Sequence, residues 1–403
     1  MNVYRVRNLA PGNGPAIEDA AVAVRAGRIM AVGRWVAIAR KLQPAKTIDL
    51  GAALLTPALL NAHVHLELSD VERPEFTGRF TDWLAGIRQQ QLSRGAAEAE
   101  RQASILRAVQ NGVAQCKRYG VVAVGDISQH AKLVRQAVEG SHLSGVSYAE
   151  VLGLGGIRNR YEQLLAAALE ACQLPPGWKR GLSPHAPYTL DVRDAAAAVS
   201  AAREQGLPLA SHIGEHAAEE LFLREQTGEF RELWEKLGTW GSGSSRFAGG
   251  PIEWARATGL INAGAVLAHV NHASREELTL LSGSRATVVY CPRTHDYFGH
   301  PPHPLLWMRP LGIRIALGTD SCASSGDLNL LADARLVRRL FPSLSAAEIF
   351  RMITIHPARA LSLSHDLGTL APGKRAAWCL FDEARTVDAV LTGESLPQLE
   401  VLT

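Results

Sequence analysis

Between residues 54 and 360 the chain repeats one unit: a short apolar run, then a longer stretch rich in Ala, Leu, Arg and Glu. Eight apolar runs can be counted, at 54–65, 121–127, 145–152, 180–185, 208–213, 265–270, 286–291 and 313–319. The intervening stretches, such as 98–110 and 191–205, have helical composition. Runs that are apolar throughout suit strands covered on both faces, the environment of a parallel sheet flanked by helices. Eight such units predict an α/β chain with a (β/α)8 barrel. A doubly wound open sheet is the alternative. The residues that end the runs favour the barrel. Histidines and an aspartate close the first, fifth, sixth and eighth, and only a closed barrel brings those four ends to one mouth.

The two ends of the chain read differently. Residues 1–55 alternate apolar and polar positions around glycine turns, and 363–403 do the same. Each is too small to bury a core alone, so the two are expected to pack together as one small β-sandwich beside a barrel spanning 56–362. One connection is too long for a simple unit. After the fifth run the chain travels through 216–259, past Trp234 and the Gly241-Ser-Gly-Ser-Ser-Arg246 stretch, which predicts a helical excursion near the barrel mouth. It serves as a lid or as a surface insertion.

Composition narrows the function. The chain has 403 residues, 47% hydrophobic and 20% charged, so a large core is expected. A formal net charge of +3, evenly spread, gives no case for nucleic acid or a membrane surface as partner. No apolar window is long enough to span a bilayer. Residues 1–9 carry Arg5 and Arg7 and no apolar centre, so no signal peptide is expected. The five cysteines (116, 172, 291, 322 and 379) are scattered, without Cys-x-x-Cys spacing. That fits a reducing cytoplasm and disfavours a thiolate metal site.

The chemistry lies at the strand ends. His63-Val64-His65 closes the first run, and side chains two apart on a strand point to one face. His212 and Asp320 close the fifth and eighth. Three or four such donors with one open position make a catalytic site for a divalent ion. Imidazole and carboxylate donors suit Zn2+, with Fe2+ or Mn2+ also acceptable. Glu215, three residues after His212, can take and return a proton beside a metal-activated water. His269 is either a further ligand or a hydrogen-bond donor to the reacting oxygen. His185, held between Pro184 and Pro187, is expected to contact substrate. His216 is expected to face away, and His272 to be a loop residue. Run four ends without a lysine, the residue that bridges two metals in related barrels, so one ion is expected.

These residues in this order resemble the amidohydrolase superfamily, in its cytosine deaminase-like and chlorohydrolase branch, which includes S-adenosylhomocysteine deaminases. The likeness rests on Asn61-Ala-His-Val-His65, His212-x-x-Glu215, His269, Cys291-Pro292-Arg293, Gly318-Thr-Asp-Ser321, Asn329-Leu330, 355–360 and 368–374. It implies that His63, His65, His212 and Asp320 bind the metal, that Glu215, His269 and Asp320 move protons, and that an amino group leaves a heterocyclic carbon as ammonia. It also implies a small-molecule substrate and, from the family's habit, a homodimer.

A shorter likeness, in His65-Leu-Glu-Leu-Ser69 and 80–87, is to the aminodeoxyfutalosine deaminases of menaquinone biosynthesis. On it, Glu67 accepts hydrogen bonds from ribose hydroxyls and Trp83 stacks on a purine. The ordinary alternatives are a solvated loop carboxylate and a helix anchor packed on the rim. The chain departs from the family in one place: Thr294-His295 follows Cys291-Pro-Arg where Ser-Asn is usual. The bulky run 297–304 beyond it either reshapes the mouth or forms a rigid surface loop.

Overall fold

The computed structural model describes residues 1–42, 46–241 and 246–402. Five strands open the chain: β1 (Asn2–Leu9), β2 (Ile17–Arg25), β3 (Arg28–Arg34), β4 (Thr47–Asp49) and β5 (Leu54–Pro57). Eight more follow in alternation with helices: β6 (Leu59–Val64), β7 (Val121–Ser128), β8 (Ser144–Val151), β9 (Trp178–Pro184), β10 (Ala210–Ile213), β11 (Val266–His269), β12 (Thr287–Tyr290) and β13 (Arg314–Leu317). β14 (Ala377–Phe381) and β15 (Gln398–Val401) complete the set.

All eight apolar runs form strands. The run at 54–65 is two strands in two sheets: β5 pairs with β1 and β14, whereas β6 pairs with β7. Pro57, which has no N–H to give to a ladder, closes β5 at the break. β6-β7-β8-β9 and β10-β11-β12-β13 are four-stranded sheets with every neighbour parallel. Isolated parallel bridges, Leu182 with Leu209 and Val64 with Asp320, join the two sheets at both edges. Every residue of β6, β7 and β8 is buried, as expected of strands with no solvent face.

The two chain ends meet in one seven-stranded sheet, ordered β15-β14-β5-β1-β2-β3 with β4 on β1. It is one connected sheet, where two facing layers were expected. Its side chains alternate with period two. Tyr4, Val6, Val22, Trp378 and Leu380 share a core of their own. Their neighbours Cys379 and Phe381 join the large core of the parallel strands. An antiparallel bridge between Arg28 and Arg375 ties the β3 edge to the segment entering β14.

Two stretches read as β-rich are helical. Trp35–Leu42 forms a helix whose Ile38 covers Val3, Ala21 and Ala23. Val387–Thr392 is a helix because Thr386 accepts the Ala389 N–H at 3.1 Å as its cap, and Val390 and Leu391 then fall on one buried face.

The excursion contains the helices Ala218–Glu225, Glu229–Lys236 and Pro251–Ala257. Of its Gly/Ser stretch, residues 242–245 lie outside the described residues. Phe222, Phe230 and Trp234 pack with Phe80, Trp83, Tyr188 and Phe298 in one aromatic cluster. The Trp234 indole donates to the Tyr188 carbonyl at 3.0 Å, which fixes the excursion against the loop after β9. Among the described residues, no helix is long and apolar enough to cross a membrane.

Candidate active site

The ends of β6, β10, β11 and β13 bring His63, His65, His212, His269 and Asp320 together. Asn61 stitches the first to the last: its amide donates to Thr319 Oγ1 at 2.7 Å, and its oxygen accepts the Thr319 N–H at 3.2 Å. Asp320 N–H donates to the His63 carbonyl at 3.1 Å. Gly318 permits this approach, since a Cβ there would lie 2.9 Å from both His63 Cβ and the His63 carbonyl oxygen.

Asp320 Oδ1 lies 3.5 Å from His63 Nε2 and 3.4 Å from His65 Nε2. His212 Nε2 lies 3.2 Å from His65 Nε2. His212 Nδ1 lies 3.2 Å from the His185 carbonyl, which can only accept, so Nδ1 carries the proton and Nε2 keeps its lone pair. Among the described residues His63 has no hydrogen-bond partner for either ring nitrogen, although the residue is fully buried. Bare imidazole nitrogens crowded at one carboxylate are costly unless a cation shares them. His63, His65 and His212 each offer a donor atom within 4.8 Å of the others, and so do His63, His269 and Asp320. These residues fit one divalent ion.

Burial sets the protonation. It lowers His65 to about 4 and His269 to about 3, and puts His212 well below the usual imidazole range, with neighbouring histidines adding to the first and last. The rings are therefore neutral at pH 7, as ligation requires. Burial works against the Asp320 charge, but the close contact with His63, then the nearby His269 and His65, outweigh it and hold its carboxyl below the usual range. Glu215 behaves oppositely: burial, then Asp320 and Glu219, raise it well above 4.5. A carboxyl shifted upward beside a carboxylate shifted downward is an acid–base pairing.

Glu215 Oε1 lies 3.6 Å from His269 Nε2, and Tyr188 donates to Glu215 Oε2 at 3.5 Å. The turn that presents Glu215 is wound onto Glu219, which accepts the N–H groups of Gly214, Glu215 and His216 at 2.9, 2.6 and 3.1 Å. Asn271 donates to the Glu215 carbonyl at 3.0 Å, and its oxygen faces His295 Nδ1 at 3.1 Å. Thr294 meets Ser324 at 2.9 Å, and Ser324 donates to Asp320 Oδ2 at 3.2 Å. The two residues that depart from the family pattern thus brace Glu215 and Asp320.

His185 lies beside His212, with ring centroids 4.8 Å apart. Thr189 Oγ1 donates to the Ala186 carbonyl at 3.1 Å, so it accepts from His185 Nδ1 at 2.8 Å. That leaves His185 Nε2 bare, 3.3 Å from Glu150 Oε1. Burial, then Glu67, raises Glu150 to about 8, so at neutral pH it carries the proton this contact needs. Glu150, His185 and His212 also stand within metal-holding distance of one another. His212 has a single free nitrogen, however, which favours one ion over two.

Glu67 is not a solvated loop carboxylate. It is buried and accepts the N–H groups of Gln129 and His130 at 2.9 and 3.1 Å, with His130 Nδ1 at 2.9 Å. Trp83 donates to the Ala323 carbonyl at 3.2 Å and packs between Phe80 and Phe298. His216 stands outside the donor groups: it stacks on Phe80, with ring centroids 5.2 Å apart, and lies 3.2 Å from Glu229 Oε1. His272 is paired with His300 at 3.2 Å. The run 297–304 is anchored inward through His303, buried against Tyr290. Tyr188, Glu219, Asn271, His303 and Glu150 went unassigned from sequence. Tyr188, in the His185-Ala-Pro-Tyr188 turn, and Glu219, one helical turn past Glu215, lay close enough in sequence to be found.

A family model described as the amidohydrolase family matches residues 54–400. An aminodeoxyfutalosine deaminase from Deinococcus radiodurans is 28% identical over 347 residues, 81% of this chain and 79% of that protein. A 5-methylthioadenosine/S-adenosylhomocysteine deaminase from Moorella thermoacetica is 24% identical over 389 residues, 93% of this chain and 84% of that protein. The crystal structure of Helicobacter pylori aminofutalosine deaminase in complex with methylthio-coformycin superimposes with a TM-score of 0.85 at 21% identity, covering 100% of this chain and 98% of that one. The fold is shared with that structure.

Proposed function

We propose that this chain, which belongs to the amidohydrolase family, is a mononuclear metal-dependent deaminase of an adenine-type nucleoside. The observation that carries the reading is the pairing of Glu215, 3.6 Å from His269, with an imidazole and carboxylate donor set. We read the two bridged four-stranded sheets as one closed (β/α)8 barrel (56–362) and the composite sheet as the expected smaller domain.

His63, His65, His212 and Asp320 would hold the ion, and Zn2+ suits these donors. The bound ion would supply a water activated at neutral pH. Glu215, its carboxyl shifted upward, holds a proton at Oε1 or Oε2 and delivers it to the ring nitrogen beside the reacting carbon. Asp320, charged and braced by Ser324, receives a proton and passes it to the departing amine. His269, neutral and aimed at Glu215, donates to the oxygen on which charge develops. His185 and Tyr188 face the base. Glu67 and Trp83 shape the ribose and base pockets, Glu67 by fixing the loop after β7 while one acceptor position stays open.

For the substrate, the reading is 6-amino-6-deoxyfutalosine, supported by the Deinococcus relative and the Glu67 and 80–87 motifs. The Moorella relative, aligned over more of the chain, supports 5′-methylthioadenosine or S-adenosylhomocysteine as the second reading. Ammonia release by the metal-loaded enzyme should be compared, by kcat/KM, across these nucleosides, adenosine, guanine and a pterin, with chloride release measured for a chlorotriazine. Aminodeoxyfutalosine is expected to lead. No ammonia from any aminopurine nucleoside, with metal bound, overturns the proposal.

A further inference from the structure

A second concavity, of about 990 Å3, lies between the loop after β6, the end of the helix Glu98–Arg118, the helix Leu330–Leu340 and the turn after Val387–Thr392. None of His63, His65, His212, Glu215, His269 or Asp320 lines it. Six arginines do: Arg73, Arg118, Arg293, Arg335, Arg338 and Arg339. Among the described lining residues two are acidic, Asp296 and Glu394.

Three of the arginines form a fixed frame. Arg293 is tied to Asp333 at 3.0 Å and to Asp327. Arg338 reaches Asp388 at 3.1 Å. Arg335 donates to the carbonyls of Val390 and Ser395 at 3.1 and 2.7 Å. The other three are exposed and form no ion pair with a carboxylate among the described residues. Arg73 lies over the Tyr297 ring at 5.3 Å and Arg118 over Tyr119 at 5.6 Å. Stacking of this kind holds a guanidinium plane while leaving its edge free to donate. Leu336, Leu391 and Leu396 supply an apolar wall.

Like charges gathered in a concavity repel, and a multiply charged anion relieves that repulsion. The guanidinium fork matches phosphate oxygens in pairs, and the volume is of the size that holds a small organic molecule. We infer that this groove is a binding site for a small organic polyphosphate of the nucleoside diphosphate class. The phosphates meet Arg73, Arg118 and Arg339, and the organic part lies on the leucine wall. The site is independent of the deaminase chemistry.

The test is calorimetric titration of the full-length, metal-loaded protein with ADP, and separately with inorganic pyrophosphate, at about 50 mM salt, where charge is only partly screened. One saturable site per chain is expected for ADP, with pyrophosphate weaker. Arg118→Ala/Arg339→Ala should weaken ADP at least about tenfold, the loss of charge-assisted bonds, while deamination is unchanged. Arg203→Ala/Arg285→Ala removes the same charge at a separate concavity and should leave ADP binding as it was. No saturable binding up to millimolar ADP, equal loss in both double variants, no loss in the first, or preference for a single-stranded RNA over ADP each overturns the inference.

Discussion

His303 Nε2 lies 3.0 Å from the main-chain oxygen of His269, a residue held in left-handed backbone at φ 73°. Val270 follows at φ 55°, a conformation that costs a β-branched residue about 1–3 kcal/mol. What offsets it is a set of hydrogen bonds: Val270 and Asn271 N–H to the carbonyls of Ile213 and Gly214 at 2.8 and 2.9 Å, and the His303 N–H to His269. Because a carbonyl only accepts, His303 carries its proton on Nε2. His303→Phe would keep the stacking on Tyr290 and lose the donor. We expect a stability loss of about 1–3 kcal/mol, a kcat reduced about tenfold and KM within about twofold, since His269 would be displaced from the reacting atoms. Thermal unfolding and steady-state kinetics check this, and a wild-type kcat contradicts it.

Gly318→Ala probes the approach of β13 to β6. Its Cβ would stand 2.9 Å from the His63 backbone oxygen, His63 Cβ and Val289 Cγ1. Backbone on one side and a buried strand on the other leave little room to yield, and overpacking costs about 1–3 kcal/mol. The shift falls on His63 and Asp320 together, so metal content should drop with activity. Atomic absorption alongside activity measures both; full metal occupancy with full activity would show that the approach is looser than the geometry requires.

Glu150 gives the pH dependence a sign. Its carboxyl, near 4.5 in an unfolded chain, is raised to about 8 by burial and Glu67. A folded-state pKa above the unfolded one contributes stability that is present below pH 4.5 and is lost as pH rises through about 8. Glu150→Gln keeps the shape, stays neutral and can still donate to His185. For metal-free protein the variant should match the wild type near pH 4.5 and exceed it in Tm by a growing margin up to pH 8–9. A constant difference across that range would mean that Glu150 is charged in the folded state.

Chelation should abolish deamination and lower Tm together, because a ligand bound only by the folded state stabilises it by mass action, about 4 kcal/mol at a thousand times Kd. Zn2+ should restore both at one equivalent per chain. Recovery that needs two equivalents would assign a second ion to Glu150 and His185.

Much of the architecture was legible because it is local. Eight apolar runs announce eight buried strands, and a histidine two residues from another on one strand shares its face whatever the rest of the chain does. Ligand-type residues at four strand ends then define a metal site once those ends converge. Two end segments misled for the same local reason. Residues 35–42 and 387–392 are short, with apolar spacing that serves strand or helix, and at 387–392 the Thr386 cap decided.

The amino-acid sequence by itself determined the parallel strands, the donor residues and the order in which they arrive at the site. Only the tertiary structure decided what each donor faces. Glu67 finds His130, Thr294 finds Ser324, His295 finds Asn271, and His303 finds His269, each across a loop whose path no periodicity encodes. The physical reason is burial. Once these groups leave water, each must be paired or change its protonation, and the available partner depends on which loop ends lie within hydrogen-bond reach.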